Sequence, residues 1–350
     1  MSRKISGHVV SNERRPLTGV SIYHSRKIVA RTDQDGYFVA DFPKKSERTA
    51  LTFSAEGYVE NTQVYKVSAA GNGNVIIIWP VAYRVVFDPA SDMDVEMGGS
   101  RIRISKNTLV DQKQKKVSGK VRLDFTLFDV TDPIQRAAAS GDFSGKMLDG
   151  SIRRLNSYGI FQLDVRDQKN RDVMLKRGAV ADVSIPVPRR LAEIAPAKIS
   201  YFDLENTSGY WIETGVFEFD RKTLVYNGSV TSFGGVHNLD DPQDTVCVTI
   251  RIVRDSDHTP ISNAFVTANG LQYSSTGSTD VNGYVCLLVQ RNAQFSVTAS
   301  AMIGSSYYGT PSPTTFVSPN FSSGAGDCGD PDLCPILGDH PVFLIVGLPE

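Results

Sequence analysis

Hydrophobic positions along the chain follow a two-residue rhythm, and helical periodicity is almost absent. Alternating or β-branched runs stand at 4–10, 20–23, 74–79, 83–87, 101–104, 120–127, 159–165, 180–185, 246–253 and 264–267. Gly, Asn, Asp and Pro turns separate them at short intervals, as in strands that bury one face in a sandwich or small barrel. Only 133–140 and 189–194 carry enough pattern for a helical turn or two. The first follows Thr131-Asp132-Pro133, where an Asp cap ahead of a Pro at the first helical position predicts a helix start. The chain is predicted to be all-β.

An internal repeat divides it. Ser6-Gly-His-Val-Val, Pro16-Leu-Thr-Gly-Val-Ser-Ile22 and Thr32-Asp-Gln-Asp-Gly-Tyr-Phe38 are answered by Cys247-Val-Thr-Ile-Arg-Ile-Val253, Pro260-Ile-Ser-Asn-Ala-Phe-Val266 and Thr279-Asp-Val-Asn-Gly-Tyr-Val285. From the Pro to the Asp of the last element is 17 residues in the first copy and 20 in the second, one loop insertion apart. Two copies of one β-module are therefore expected. In each, Asp33 or Asp280 is placed to accept the backbone N–H two residues on, as an Asx-turn. Gly36 or Gly283 supplies a positive φ, and Tyr37 or Tyr284 re-enters the sheet. An acidic turn also resembles a calcium loop, but neither copy has the D-x-D-x-D-G spacing with a distal Glu, so turn architecture is the preferred reading.

These residues resemble the carboxypeptidase regulatory-like domain, a small transthyretin-like β-sandwich marked by a G-x-V strand, a Pro-Leu-x-Gly-Val strand and a T-D-x-x-G-x-F turn. The first copy matches closely over 3–80; the second has Asn263-Ala264 where Gly-Val is usual. The resemblance implies an accessory folding or binding module without catalytic residues of its own. From Val81 to about Asp241 the chain resembles the β-sandwich of cartilage intermediate layer proteins and related bacterial surface proteins. The residues that carry this are Gly98-Gly-Ser-Arg-Ile-Arg-Ile-Ser-Lys-Asn-Thr-Leu109, Phe128-Asp-Val-Thr-Asp-Pro, Ser140-Gly-Asp-Phe-Ser-Gly, Leu155-Asn-Ser-Tyr-Gly-Ile-Phe161, Tyr210-Trp-Ile-Glu213 and Ser232-Phe-Gly-Gly-Val-His-Asn238. The expected architecture is a three-part β-sandwich protein: two transthyretin-like Greek-key sandwiches, 1–80 and 244–350, flanking a central sandwich at 81–243.

The 350 residues carry 37 Lys+Arg against 38 Asp+Glu, a net charge of −1, which argues against a general nucleic-acid binder. No apolar stretch approaches the 18–20 residues, roughly, that span a bilayer, so no membrane span is expected. The balance conceals a polarity. Residues 1–80 hold 11 basic against 7 acidic side chains, residues 244–350 hold 3 against 9, and no lysine follows Lys222. Solvated surfaces explain this most simply; head-to-tail contact between copies or an oppositely charged partner would also use it. The first ten residues lack an apolar stretch and a small-residue cleavage site, so they are not expected to be a secretory signal peptide.

Four cysteines lie in the last third: Cys247, Cys286, Cys328 and Cys334. Of their three possible pairings, Cys328–Cys334 across a short loop and Cys247–Cys286 on neighbouring strands are preferred, and the resembled family has cysteines in similar places; four reduced thiols are the alternative. A zinc site is not expected without a C-x₂-C pair. The five histidines show no H-E-x-x-H spacing, and neither G-x-S-x-G nor a phosphate loop occurs. Asp129, Asp132, Asp142 and Asp149 form an acidic cluster, read first as turns and ion pairs with Arg136, Lys146, Arg153 and Arg154, second as structural calcium and last as glycosidic acid and base. Trp211 is expected in the core, whereas Tyr307 and Tyr308, in the Gly/Ser/Pro-rich segment 304–323, suggest an exposed recognition loop.

The resulting expectation is a non-catalytic adhesion or scaffold protein without cofactor, extracellular or on a cell surface, whose partner is a protein or a surface polysaccharide. A structural component of an assembled filament, virion or secretion particle is the second reading, and a carbohydrate-acting enzyme the third.

Overall fold

The computed structural model describes residues 3–25, 27–42, 48–66, 74–304, 306–320, 334–337 and 341–346. Strands make up most of this chain; the helices among the described residues are Pro133–Ala138 and Arg189–Ala192. The architecture is a set of β-sandwiches.

In the first part, Arg3–Ser11 lies between Tyr37–Phe42, to which it is antiparallel, and Asn74–Ile78, to which it is parallel. The facing antiparallel sheet runs Lys27–Arg31, Ser21–His24, Arg48–Ser54, Asn61–Lys66. Strand alternation sends Ile5, Val9, Phe38 and Ile76 from the first sheet against Val20, Ile22, Leu51 and Phe53 from the second, and these form a core of their own. Each such large side chain, fully buried, contributes about 1.5–3 kcal/mol.

The last part repeats this topology strand for strand. Thr245–Arg254 lies between Tyr284–Gln290, antiparallel, and Val342–Val346, parallel. The second sheet runs Ser274–Ser278, Phe265–Asn269, Gln294–Ile303, Ser306–Gly309, the same order as in the first part. Two pairings are added: Thr314–Val317 joins Gln294–Ile303 as an extra strand, and Ser306–Gly309 also joins Val342–Val346, so the two sheets become one continuous path of seven strands with the eighth beside it.

Between them, an eleven-stranded sheet runs Tyr83–Phe87, Val121–Phe128, Ile152–Asp167, Val236–Gln243, Lys198–Leu204, Trp211–Asp220, Val225–Val230, Ala181–Pro186, Ser100–Ile104, Met93–Met97, with Ser144–Lys146 beside Ile152–Asp167 and Trp211–Asp220. Its core holds Phe125, Phe128, Phe161, Tyr201, Phe202, Trp211, Phe217 and Tyr226, all almost fully buried. Asp244 alone separates Val236–Gln243 from Thr245–Arg254, and the central and last parts share one continuous hydrophobic core.

Candidate functional site

The repeated turn is built identically, atom for atom, in both copies. Asp33 Oδ1 accepts the N–H of Asp35 at 3.0 Å and of Tyr37 at 2.9 Å; Asp280 Oδ1 accepts those of Asn282 and Tyr284, both at 2.8 Å. Gly36 has φ +72° and Gly283 φ +78°. A Cβ on Gly36 would lie 2.6 Å from Val9 O and one on Gly283 2.5 Å from Ile252 O, so glycine is needed both for the left-handed backbone and for the close approach. The preceding threonine locks the turn to the next strand. Thr32 Oγ1 donates to Leu17 O at 2.6 Å and accepts the Val20 N–H at 2.9 Å; Thr279 does the same with Ile261 O and Ala264 N–H at the same distances. Both turns thus spend an Asp oxygen and a Thr hydroxyl on backbone groups of their own module.

The segment 128–145 is where the three parts meet. Asp132 caps Pro133–Ala138, its Oδ1 accepting the Ile134 N–H at 2.8 Å, which satisfies a donor that the first helical turn leaves over. Asp129 Oδ1 accepts the N–H and the hydroxyl of Thr131, and Asp149 Oδ1 those of Ser151. Toward the first part, Asn61 Nδ2 donates to Ala138 O at 3.1 Å, the Thr62 N–H donates to Ser140 Oγ at 2.9 Å and the Gly141 N–H donates to Thr62 O at 2.7 Å. Arg136 Nη1 donates to Val130 O within the central part at 2.7 Å and, toward the last part, to Leu271 O at 2.9 Å, and its Nε to Ser274 Oγ at 3.3 Å.

Asp142 is the charge at the centre of this junction. Arg48, from the first part, grips both carboxylate oxygens at 2.7 Å and donates to Ser208 O at 2.8 Å and Gly209 O at 3.0 Å, with its guanidinium 4.1 Å over the Tyr210 ring. Arg154, buried, donates to Asp142 O, to Ser144 Oγ at 3.1 Å and, in the last part, to Ser275 Oγ at 2.6 Å. Burial opposes the charge on each arginine. For Arg48, attraction and hydrogen bonds to Asp142 outweigh burial and the pKa rises; for Arg154, burial prevails and the pKa falls. Arg136 is likewise lowered, to about 10, by burial, with Asp132 opposing. The pairing of Asp142 with Arg154 lay within the expected set of partners; its stronger partner, Arg48, did not.

Polar groups also sit inside the central sheet. His237 Nδ1 lies 2.7 Å from Asp203 Oδ1 and 2.8 Å from the Tyr201 hydroxyl, which donates to Asp203 Oδ1 at 2.5 Å. Burial works to raise Asp203, but bonds and attraction to His237 bring it below the usual carboxylate range. Burial instead lifts Asp164 to about 6 and Asp240 well above its ordinary value, with the Gln162 amide and the Ser157 hydroxyl respectively opposing the rise. None of these side chains stands in the acidic cluster read from the sequence.

Two expectations are corrected. The disulfide joins Cys247 to Cys334, across 87 residues, and not to Cys286; the preferred Cys328–Cys334 pairing is excluded with it, and Cys328 itself lies outside the described residues. Cys286 stands opposite Thr249 and Cys247 opposite Leu288, and residues 334–337 run beside Thr249, whose N–H donates to Pro335 O at 2.9 Å, so that the sulfurs of Cys247, Cys286 and Cys334 all lie within 4.8 Å of one another. Tyr307 and Tyr308, in turn, form the strand Ser306–Gly309, not a loop. Burial raises the Tyr307 pKa, and Tyr308 packs on the core with the Arg254 guanidinium 5.7 Å over its ring. Residues 305 and 321–323 of that expected loop lie outside the described residues. Trp211 is fully buried, as expected of a core strand residue.

Sequence reading passed over a second internal likeness. Asp111-Gln-Lys-Gln-Lys-Lys-Val117 and Asp167-Gln-Lys-Asn-Arg-Asp-Val173 form matching hairpin turns that face each other across a groove. The shared D-Q-K start was the available signal.

No family model matches the chain. Over 280 residues, 73% of this chain and 23% of the relative, it is 23% identical to cartilage intermediate layer protein 1 of Mus musculus. The Homo sapiens protein matches at 23% over 272 residues, covering 70% of this chain and 22% of the relative. The chain thus spans about a quarter of the length of these relatives. Among solved structures, BcpA, the major pilin subunit of Bacillus cereus, aligns over 87% of this chain and 90% of its own at 8% identity and a TM-score of 0.18. The full-length major pilin SpaD of Corynebacterium diphtheriae aligns over 99% and 98% at 9% identity and a TM-score of 0.19, and scores this low carry no argument. What the comparisons leave is a remote sequence likeness to one stretch of cartilage intermediate layer proteins.

Proposed function

We propose that the chain is a non-catalytic structural segment of an extracellular or cell-surface protein, in which three β-sandwich modules are locked together to present surfaces to a protein or polysaccharide partner. The observation that carries this reading is the junction at 128–145. The carboxylates that would have suited glycosidic chemistry are engaged in capping a helix, closing turns and neutralising two arginines. Such use of buried charge serves relative placement of modules. The likeness to cartilage intermediate layer proteins supports an extracellular setting. The assignment of 1–80 and 244–350 as carboxypeptidase regulatory-like modules flanking 81–243 is part of the same proposal; it is supported by the shared strand order and the duplicated Thr-Asp-x-x-Gly-Tyr turn.

A second reading, a component of an assembled particle, is favoured by one observation: a basic first part and an acidic, lysine-free last part offer complementary ends. Antibody labelling of intact source cells or tissue tests the first reading, with exclusively outside label expected and label seen only after permeabilisation refuting it. Light scattering at low and high salt tests the second, where a salt-sensitive increase in mass is expected and a monomer at both refutes it.

A further inference from the structure

We propose that the groove between the hairpin turns 111–116 and 167–172 is a binding site for an acidic polysaccharide, one bearing sulfate or uronate groups. The turns are matched in detail. Asp111 Oδ1 accepts the N–H groups of Lys113 and Lys115 at 2.8 and 2.9 Å, and Asp167 Oδ1 accepts those of Lys169 and Arg171, both at 2.9 Å. Gln114 and Asn170 take the same positive-φ position, at +60° and +57°. In both turns the acidic side chain is thus tied to the turn's own backbone; in the second, Asp167 also takes the Arg171 guanidinium, whose Nε donates to Oδ2 at 2.8 Å.

The spacing between the turns is set by the fold. Leu109–Val110 pairs with Met174–Leu175 at their bases, and the Arg122 guanidinium donates to Asn170 Oδ1 at 3.0 Å. What lies between is a groove of about 550 Å³, within the range of roughly 300–1,000 Å³ of ligand clefts. Lys113, Lys115 and Lys116 line one wall and Arg166 and Arg171 the other. The arginines are paired with Asp172 and Asp167, whereas the three lysines are exposed and, among the described residues, in no ion pair. Three lysines against the single carboxylate of Asp111 therefore leave an excess of positive charge on one side, and the amides of Gln112 and Asn170 add neutral donors and acceptors for hydroxyl groups.

The occupant follows from what the walls offer and what they do not. A single-stranded nucleic acid would use aromatic faces for base stacking, and among the described residues none lines the groove. An acidic peptide would add to a strand edge or place apolar side chains in pockets, yet the walls are turns whose backbone groups are already bonded to each other. A polar polymer with regularly spaced anions and many hydroxyls meets the lysines with its charges and the amides with its ring substituents.

The inference rests on the surface-scaffold reading, because such polymers lie outside cells. Binding of fluorescent heparin and hyaluronan octasaccharides to the full chain, followed by anisotropy at about 0.05 and 0.15 M ionic strength, tests it. Saturable, salt-weakened binding of at least one probe is expected. The variant with Lys113→Gln, Lys115→Gln and Lys116→Gln should lose at least about tenfold in affinity, a change of about 1.4 kcal/mol. A reference variant of equal charge change, Lys4→Gln, Lys27→Gln and Lys222→Gln, should stay within about twofold of the parent. Absent binding overturns the proposal, as does an equal loss in the reference variant, or binding of a DNA duplex or polyglutamate as tight and as dependent on the three lysines. Failure here leaves the cell-labelling result standing, so the groove and the surface-scaffold reading fall separately.

Discussion

Replacing Asp142 with Ala would remove one carboxylate and leave two buried guanidiniums facing each other. Arg48 would lose two 2.7 Å bonds, keeping Ser208 O and Gly209 O, while Arg154 would keep Ser144 and Ser275. Stranding one member of a buried pair costs about 3–5 kcal/mol, and the side chains here are only 14% and 8% exposed, so solvent does little to soften the loss. Arg48→Met leaves Asp142 with Arg154 as counter-charge; the expected cost is that of lost charge-assisted hydrogen bonds, about 1.5–3 kcal/mol. Asp142→Ala should therefore be the more damaging of the two. The double variant should cost less than the sum of the singles by about 1–3 kcal/mol, because removing Arg48 relieves the repulsion that removing Asp142 creates. Urea unfolding of all four proteins measures this, with Trp211 fluorescence as a local probe, since Trp211 packs against Gly141 beside Asp142. A cost below about 1 kcal/mol for Asp142→Ala, or strict additivity, would refute the argument that this carboxylate neutralises both arginines.

Gly36→Ala and Gly283→Ala should each cost about 2–4 kcal/mol in urea unfolding, since both place a methyl against a carbonyl oxygen with φ positive; a loss at one site without the other would contradict the equivalence of the two turns. Burial lifts Asp164 from 3.8 to about 6, so between those values the folded chain holds a proton that the unfolded chain has released. Its contribution is greatest below about pH 4 and is lost as pH rises through about 6, by up to about 3 kcal/mol at 1.4 kcal/mol per pKa unit. Asp164→Asn should accordingly gain stability relative to the parent on going from about pH 4.5 to 7.5, and a pH-independent difference would refute it. The Cys247–Cys334 bond closes 87 residues, so loop-closure entropy gives it about 4–5 kcal/mol. Peptide mapping without reductant should recover these two cysteines in one species, and reduction should lower the unfolding midpoint.

Local patterns were legible in the chain, and partnerships across it were not. Alternation announced strands such as Arg3–Ser11 and Thr245–Arg254 because burying one face requires it, and Thr131-Asp132-Pro133 announced the helix at Pro133–Ala138 because a cap acts on its immediate neighbours. The duplicated turn was readable for the same reason: Asp33 and Gly36 act within a few residues. Arg48, by contrast, meets Asp142 across 94 residues, and Cys247 meets Cys334 only because residues 334–337 return beside Thr249. Nothing in the spacing of Tyr307 and Tyr308 revealed that Ser306–Gly309 would be taken up as the strand joining two sheets, since its Gly and Ser neighbours read as loop.

In both outer parts the first strand runs parallel to the last. Gly7 to Ser11 pair with Asn74 to Ile78, and Ile252 to Arg254 with Val342 to Leu344. Parallel neighbours leave the entering and departing ends of the chain at opposite ends of the shared ladder. Tension applied to those ends would pull the two strands past each other in shear, loading the rungs of the ladder together where an antiparallel pair would unzip one rung at a time. These parts are thus oriented to bear a pull along the chain.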